Sequence, residues 1–385
     1  MRAASPAKKM IKYFKRGDFL GKKLNIAIVG LGFGAEFIPI YMNHPETNLY
    51  AICQRNKDML TKLGDQFGVE KRYTDFYELL RDDNIDAVHI NTPIPCHAEH
   101  SISALQAGKH VACTVPMATS VEDCKKIVEA QRASGKKYMM METSVYTREF
   151  LYVKELRDAG KLGKIQFLRG CHQQEMSGWP GYWQGLPPMF YATHAVSPLL
   201  AIAGGEAEHV VCFGSGKISD DLTAKYNSPF AAETALIKLK HSDLAAEVTR
   251  SLFEISREYV ESFDVYASNM SFEWQQMAKD APVVFKGEDG LRVSIPDYAH
   301  LLPESIRQFT TRGIYDMAEN KHLSFTQGSG HGGSHPHMAH EFIMSILEDR
   351  EPFPNASTAA NWTSVGLCAH QSAMGGGVKI DVPSF

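Results

Sequence analysis

The stretch Leu24-Asn25-Ile26-Ala27-Ile28-Val29-Gly30-Leu31-Gly32-Phe33-Gly34-Ala35 decides the fold. A short apolar run that reads as a strand passes directly into G-x-G-x-x-A. A helical pattern follows from Ala35 to Asn43, shortened or kinked by Pro39. Gly30 permits the tight turn, Gly32 lets the backbone approach a pyrophosphate, and Ala35 allows close contact of helix and sheet. Phe33 and Gly34 complete the turn, and the helix behind it offers unbonded N–H groups and a positive dipole end to phosphates. Such a string alone is only a glycine turn. Placed after a strand and at the head of a βαβ series, it predicts dinucleotide binding.

Outward from this turn the alternation continues. Leu49 to Cys53, Ile85 to Asn91, His110 to Thr114 and Lys137 to Glu142 read as strands. His97 to Ala107, closed by Gly108, and Val121 to Ala133, closed by Gly135, read as helices. Beyond Glu142 the pattern turns β-rich, with strands expected at Lys164–His172, His209–Phe213, Glu233–Leu239, Ala245–Ser251 and Glu261–Ala267. The chain is therefore read as α/β: an N-terminal Rossmann domain with a doubly wound parallel sheet, and a C-terminal α+β domain with a large, mostly antiparallel open sheet. Residues 1–23 form an N-terminal arm, 24–145 the dinucleotide domain, and 146–385 the substrate-binding and oligomerisation domain.

Bulk properties bound the partners. A chain of 385 residues suits two cores, and its formal charge of −4 lacks the basic excess of nucleic-acid or membrane-surface proteins. No apolar run is long enough to span a bilayer, and the opening residues lack the apolar segment of a secretory signal. Seven cysteines without short pair spacings fit reduced thiols in a cytoplasmic protein. At the end of the second strand, where an acidic residue would read a ribose hydroxyl, stands Cys53-Gln54-Arg55. Gln54 can bond a hydroxyl, whereas Arg55 can pair with a 2′-phosphate, so NAD and NADP both stay open.

The glycine turn, Asn91-Thr92-Pro93, the helix beginning near His97, Gly108-Lys109-His110-Val111 and Cys113-Thr114-Val115-Pro116-Met117-Ala118 together resemble the Gfo/Idh/MocA family of glucose–fructose oxidoreductases and inositol dehydrogenases. The resemblance implies NAD, either exchanged or kept bound between cycles, and a small sugar or polyol substrate. It also implies a dimer or tetramer of identical subunits. Cofactor contacts would come from the turn, Gln54, Arg55, Asn91, Thr92, Pro93, His97, Thr114, Val115, Pro116 and Glu142. The family usually has Glu-Lys-Pro where this chain has Thr114-Val115-Pro116, and Val115 can neither donate a hydrogen bond nor move a proton. The chain is then catalytically dead or uses another base.

Tyr191-Ala192-Thr193-His194 offers one. His194 occupies the place of the family's catalytic histidine, and a helical spacing of three puts Tyr191 on the same face. Paired with the valine, this arrangement resembles the NAD-dependent α-N-acetylgalactosaminidases and the enzymes that oxidise C3 of O- and C-glycosides. The expected activity is oxidation of C3 of a glucoside to a 3-keto sugar. A glycosidase working through transient oxidation and elimination, or a non-catalytic cofactor-binding protein, are the alternatives. Substrate contacts are expected from Trp179 and Trp183 in an aromatic Gly/Pro-rich loop, from Arg148 and His172, and from His331 and His335. The last two stand in Gly328-Ser329-Gly330-His331-Gly332-Gly333-Ser334-His335-Pro336-His337, read as a flexible loop before a helix at Met338–Leu347. The α-N-acetylgalactosaminidases carry Met-Asp in place of Ser334-His335. Four histidines here, with His340, lack the ligand spacing of a metal site, and none is expected.

Overall fold

The computed structural model describes residues 23–177, 181, 185–257, 259–277, 279–311 and 329–385. The arm up to residue 22, Trp179 and Trp183 lie outside the described residues.

Strand β1 (Leu24–Val29) buries its last four side chains. With β2 (Thr47–Cys53), β3 (Lys71–Tyr73), β4 (Ala87–Ile90), β5 (His110–Thr114) and β6 (Tyr138–Met141) it forms a six-stranded sheet in the order β3-β2-β1-β4-β5-β6. Every pairing is parallel. Strands buried on both faces lose the alternation of a half-exposed sheet, which is why β4 and β6 read as unbroken runs. The strand order reverses between β1 and β4, the switch point at which open α/β sheets bind ligands.

The segment after the glycine turn is not one helix. A 3₁₀ turn (Gly34–Phe37) precedes α1 (Ile38–Asn43), with Pro39 in the first turn of α1, where its missing N–H leaves no bond unmade. Helices α2 (Lys57–Phe67), α3 (Phe76–Leu80), α4 (His97–Gln106) and α5 (Val121–Ser134) complete the crossovers. Helix α5 starts where Ser120 Oγ accepts the Asp123 N–H and ends at Gly135, whose φ of 66° favours glycine.

The second sheet has nine strands in the order β14-β13-β12-β11-β7-β10-β9-β8-β15. The strands expected from alternation are β7 (Ile165–Gln174), β8 (Ala207–Ser215), β9 (Ala232–Leu239), β10 (Ala245–Ser251) and β11 (Tyr259–Ala267). Only the β7–β10 pair is parallel; all others are antiparallel. Strands β12 (Ser271–Glu273), β13 (Val283–Lys286), β14 (Asp289–Arg292) and β15 (Ile380–Asp381), like β3, escaped the sequence reading because two to four residues are too few to display a period.

Helices α6 (Arg148–Asp158), α7 (Thr193–Ala203), α8 (Asp220–Tyr226), α9 (Ser329–Leu347) and α10 (Ala356–Met374) accompany this sheet. Two of them return to the first: α9 packs on α1 and α10 on α5, so one apolar core joins the two sheets. Close approach is made possible by glycine. A Cβ on Gly170 of β7 would lie 2.2 Å from the Ala195 carbonyl oxygen of α7, and one on Gly366 of α10 would lie 2.1 Å from that of Met189. Gly366→Ala should therefore push back the Pro188–Tyr191 turn and destabilise the protein by about 1–3 kcal/mol, read as a lower midpoint in urea at unchanged slope. A midpoint unaltered from that of the parent would contradict this packing.

Candidate active site

Glu142 follows β6 and caps the 3₁₀ turn Thr143–Val145: its Oε1 accepts the Ser144 N–H at 3.0 Å and the Ser144 hydroxyl at 2.9 Å. The carboxylate is fully buried, a placement tolerated only with a partner. That partner is His194, whose Nδ1–H donates to Oε1 at 2.5 Å; the Ser197 hydroxyl donates to Oε2 at 3.3 Å. The other ring nitrogen of His194, Nε2, is 3.1 Å from the Tyr191 hydroxyl. Burial works against charge on both groups, yet each stabilises the other: Glu142 is held below its ordinary range and His194 is raised to about 9. Tyr191 belongs to the 3₁₀ turn Pro188–Tyr191 rather than to α7, so the turn and the helix start together bring the two side chains into contact.

Beneath His194 three neighbouring strands align a row of polar groups. Register pairs Arg250 of β10 with His172 of β7, and His172 with Glu261 of β11. Arg250 is fully buried and donates to the backbone carbonyls of Tyr191 (3.1 Å), His172 (3.3 Å) and Ser251, and to Gln174 Oε1. It thereby ties the backbone of Tyr191 to the sheet. Burial and the Arg250 charge keep His172 neutral, well below its ordinary pKa, with its ring 5.1 Å from that of His194. Glu261 Oε1 lies 3.7 Å from His172 Nε2 and 3.8 Å from His194 Nε2, and accepts the Tyr259 hydroxyl. Arg250, Tyr259 and Glu261 were not singled out from sequence; they sit on ordinary alternating strands, and only the register gathers them.

Of these groups His194, Tyr259 and Glu261 face a cleft of about 720 Å³, lined also by Ser144, Arg148, Glu149, Trp274, His331 and Gly332. Arg148 and His331 thus border it, whereas His172 is buried below. The glycine–histidine segment is not a loop: α9 begins at Ser329 with a turn in which His331, Gly332 and Gly333 have φ of 47°, 64° and 84°. Pro336 has no N–H to offer the Gly332 carbonyl four residues back, and Arg148 Nε donates to that oxygen at 3.4 Å instead. His335 does not reach the cleft. It is fully buried, its Nδ1 lying 2.9 Å from Glu36 Oε2. Among the described residues no group of three or more His, Cys, Asp or Glu is arranged to hold a metal.

The dinucleotide residues gather at the switch point. Gly30 has φ of 88°, and a Cβ there would lie 2.4 Å from the Asn91 carbonyl oxygen; one on Gly34 would lie 2.9 Å from Asn91 Nδ2. A Cβ on Gly32 would meet nothing within 4 Å, so the turn keeps open the approach a pyrophosphate needs, and the residues present fit the group. Thr114 donates to Asn91 Oδ1 at 2.8 Å and to the Ile90 carbonyl at 3.0 Å. His97 is a buried clamp, 2.8 Å from each of the Thr92 and Pro116 carbonyl oxygens. Val115 belongs to the apolar core, so the position where the family has lysine is filled by packing. Gln54 donates to the Met59 sulfur at 3.3 Å and Arg55 is exposed beside it. Phe33, Ala35 and Pro93 flank the same turn. Glu142, expected among the cofactor contacts, is buried and engaged with His194.

Residues 24–142 match the family described as "Oxidoreductase family, NAD-binding Rossmann fold". The N-terminal domain is that of the Gfo/Idh/MocA oxidoreductases. The chain is 21% identical to an α-N-acetylgalactosaminidase of Shewanella oneidensis, over 94% of this chain and 85% of that protein. It is 27% identical to an inositol 2-dehydrogenase of Salmonella paratyphi B over 39% of this chain and 46% of the other. In structure it is similar to levoglucosan dehydrogenase in complex with NADH and levoglucosan, with a TM-score of 0.76 at 21% identity, covering 94% of this chain and all of that one. Residues 24–142 thus carry the NAD-binding Rossmann fold of an oxidoreductase family, and the second sheet shares its fold with a solved sugar dehydrogenase. No helix among the described residues is long and apolar enough to cross a membrane.

Proposed function

We propose that the protein oxidises a secondary hydroxyl of a sugar, C3 of a glucoside, to a ketone. The observation that carries this reading is the Glu142–His194–Tyr191 relay, whose His194 lines the cleft, in a chain whose lysine position is an apolar valine. The cofactor, when bound, supplies the hydride acceptor. The chain's own residues handle the proton. Tyr191 and His194 take the proton from the hydroxyl, Glu142 stabilises the imidazolium so formed, and Arg250 holds the Tyr191 backbone in place. Reduced cysteines suit a cytoplasmic setting, and NAD is the expected cofactor. The Phe213 and Leu236 side chains, exposed on one face of the nine-stranded sheet, suit pairing with a second copy.

The test is the absorbance band of reduced nicotinamide on mixing the purified protein with levoglucosan and a panel of O- and C-glucosides, with and without added NAD. Growth of the band with one of them supports oxidation. A flat response from protein shown to hold dinucleotide sinks it. The resemblance across 94% of the chain to an α-N-acetylgalactosaminidase then favours a glycosidase with no net redox change, read by aglycone release.

The pKa of about 9 sets the pH dependence. Only neutral His194 can accept the proton, so oxidation should rise with pH up to about 9 and the reverse reduction should fall beyond it. In Glu142→Gln the largest attraction is lost, Glu261 alone opposes burial and the Arg250 charge, and the limb should move well down from 9. A kcat/KM profile for sugar oxidation whose limb stays near 9 in the variant would refute the pairing.

A further inference from the structure

Glu36 stands in the 3₁₀ turn immediately behind the glycine motif, almost fully buried. The ring of His335 packs on Phe37 at 4.7 Å and edge-on against Phe33 at 5.4 Å, so these two and Glu36 hold it from the dinucleotide turn and the residues just after it. His335 Nε2 lies 3.1 Å from His331 Nδ1. His331 borders the cleft, edge-on to Phe33 at 5.7 Å and 6.5 Å from the ring of His194. A line of contacts Glu36–His335–His331, an ion-pair contact at its first link and a hydrogen bond at its second, therefore runs from the cofactor turn to the substrate cleft.

We infer that Glu36 and His335 are positioning residues that set the tautomer of His331 and couple dinucleotide binding to sugar binding. A carboxylate oxygen 2.9 Å from Nδ1 of His335, though not aligned as a hydrogen bond, disfavours a lone pair there, so that nitrogen carries the proton and Nε2 accepts. It accepts from His331 Nδ1–H, which leaves His331 Nε2 as an acceptor for a sugar hydroxyl. Packing alone does not call for this arrangement, since between Phe33 and Phe37 an apolar ring would serve as well without placing a carboxylate in the core. The left-handed backbone of His331, φ 47°, is a further sign that its direction is over-determined by its surroundings. A dinucleotide seated on the turn bears on Phe33 and Glu36, and through His335 on His331.

This inference rests on the sugar reading only for its last step, and two of its three readouts need no sugar. The first is the ¹⁵N spectrum of the imidazoles, with His331 assigned by its loss in His331→Gln. The wild type should show His331 protonated at Nδ1, and Glu36→Gln and His335→Gln should each shift it away from that tautomer. The second is the response of the His331 signals to NADH, followed alongside nicotinamide fluorescence. Wild type should respond, and His335→Gln should bind NADH without that response. The third is a split in kinetics with any sugar the wild type oxidises: KM should rise by about 5- to 150-fold in His335→Gln, the usual range of site–site coupling, with kcat changed far less. His331 protonated at Nε2 in the wild type, or His331 signals unmoved by NADH, would overturn the inference. So would variants that lower the melting temperature alone while tautomer and NADH response stay as in the parent. If no sugar is oxidised, the proposed function falls, while the first two readouts still decide the coupling.

Discussion

Replacing His194 by glutamine should lower sugar oxidation by about 10²–10⁴-fold while leaving NADH binding within a few-fold of wild type. Glutamine is the informative choice. Alanine would strand Glu142 as an uncompensated buried charge, costing about 3–5 kcal/mol and confusing loss of chemistry with loss of fold. A glutamine amide still offers a donor toward Glu142 but cannot take up a proton. Steady-state kcat/KM for the oxidised glucoside, with NADH titrated by fluorescence, separates the two effects. Turnover within tenfold of wild type would remove His194 from the proton pathway. Turnover unmeasurable in both proteins, with NADH still bound, would point to a cofactor-binding protein that has given up catalysis along with the family's lysine. Tyr191→Phe should lie between, because His194 keeps its ion pair with Glu142 when the 3.1 Å contact to the phenol is removed.

Gly30→Ala should abolish practical dinucleotide affinity and also weaken the fold. An L-residue at φ 88° is strained by about 1–3 kcal/mol, equivalent to about 5- to 150-fold in a dissociation constant, before the 2.4 Å approach to the Asn91 carbonyl is counted. Gly32→Ala is the matched control. Its Cβ meets nothing within 4 Å in the protein, so the melting temperature should hold while NADH affinity drops. Equal NADH affinity in Gly32→Ala and wild type would mean that the cofactor does not lie over this turn.

The glycine turn and its flanking strands were legible because their signals are local. An apolar run, a left-handed glycine and a helix start sit within a dozen consecutive residues, and parallel strands buried on both faces cannot hide among polar residues. The larger sheet was legible for a related reason: each of its five long strands alternates over seven or more residues. The glycine–histidine segment was misjudged as a loop because glycine content argues against helix, and the Arg148 contact that accommodates Pro336 comes from a helix far away in sequence. His335 was expected at the sugar and lies instead behind His331, drawn inward by a carboxylate in the dinucleotide turn.

By itself, then, the sequence determined a parallel dinucleotide-binding sheet, a second alternating sheet, and Tyr191 and His194 as candidates for proton transfer. Tertiary structure alone decided their surroundings. It brought Glu142 to His194 across 52 positions, aligned Arg250, His172 and Glu261 through the register of three strands, and joined Glu36 to His331 through His335. The physical reason is that backbone periodicity is written in near neighbours. The charge state and tautomer of a buried histidine depend on whichever carboxylate the finished fold sets beside it.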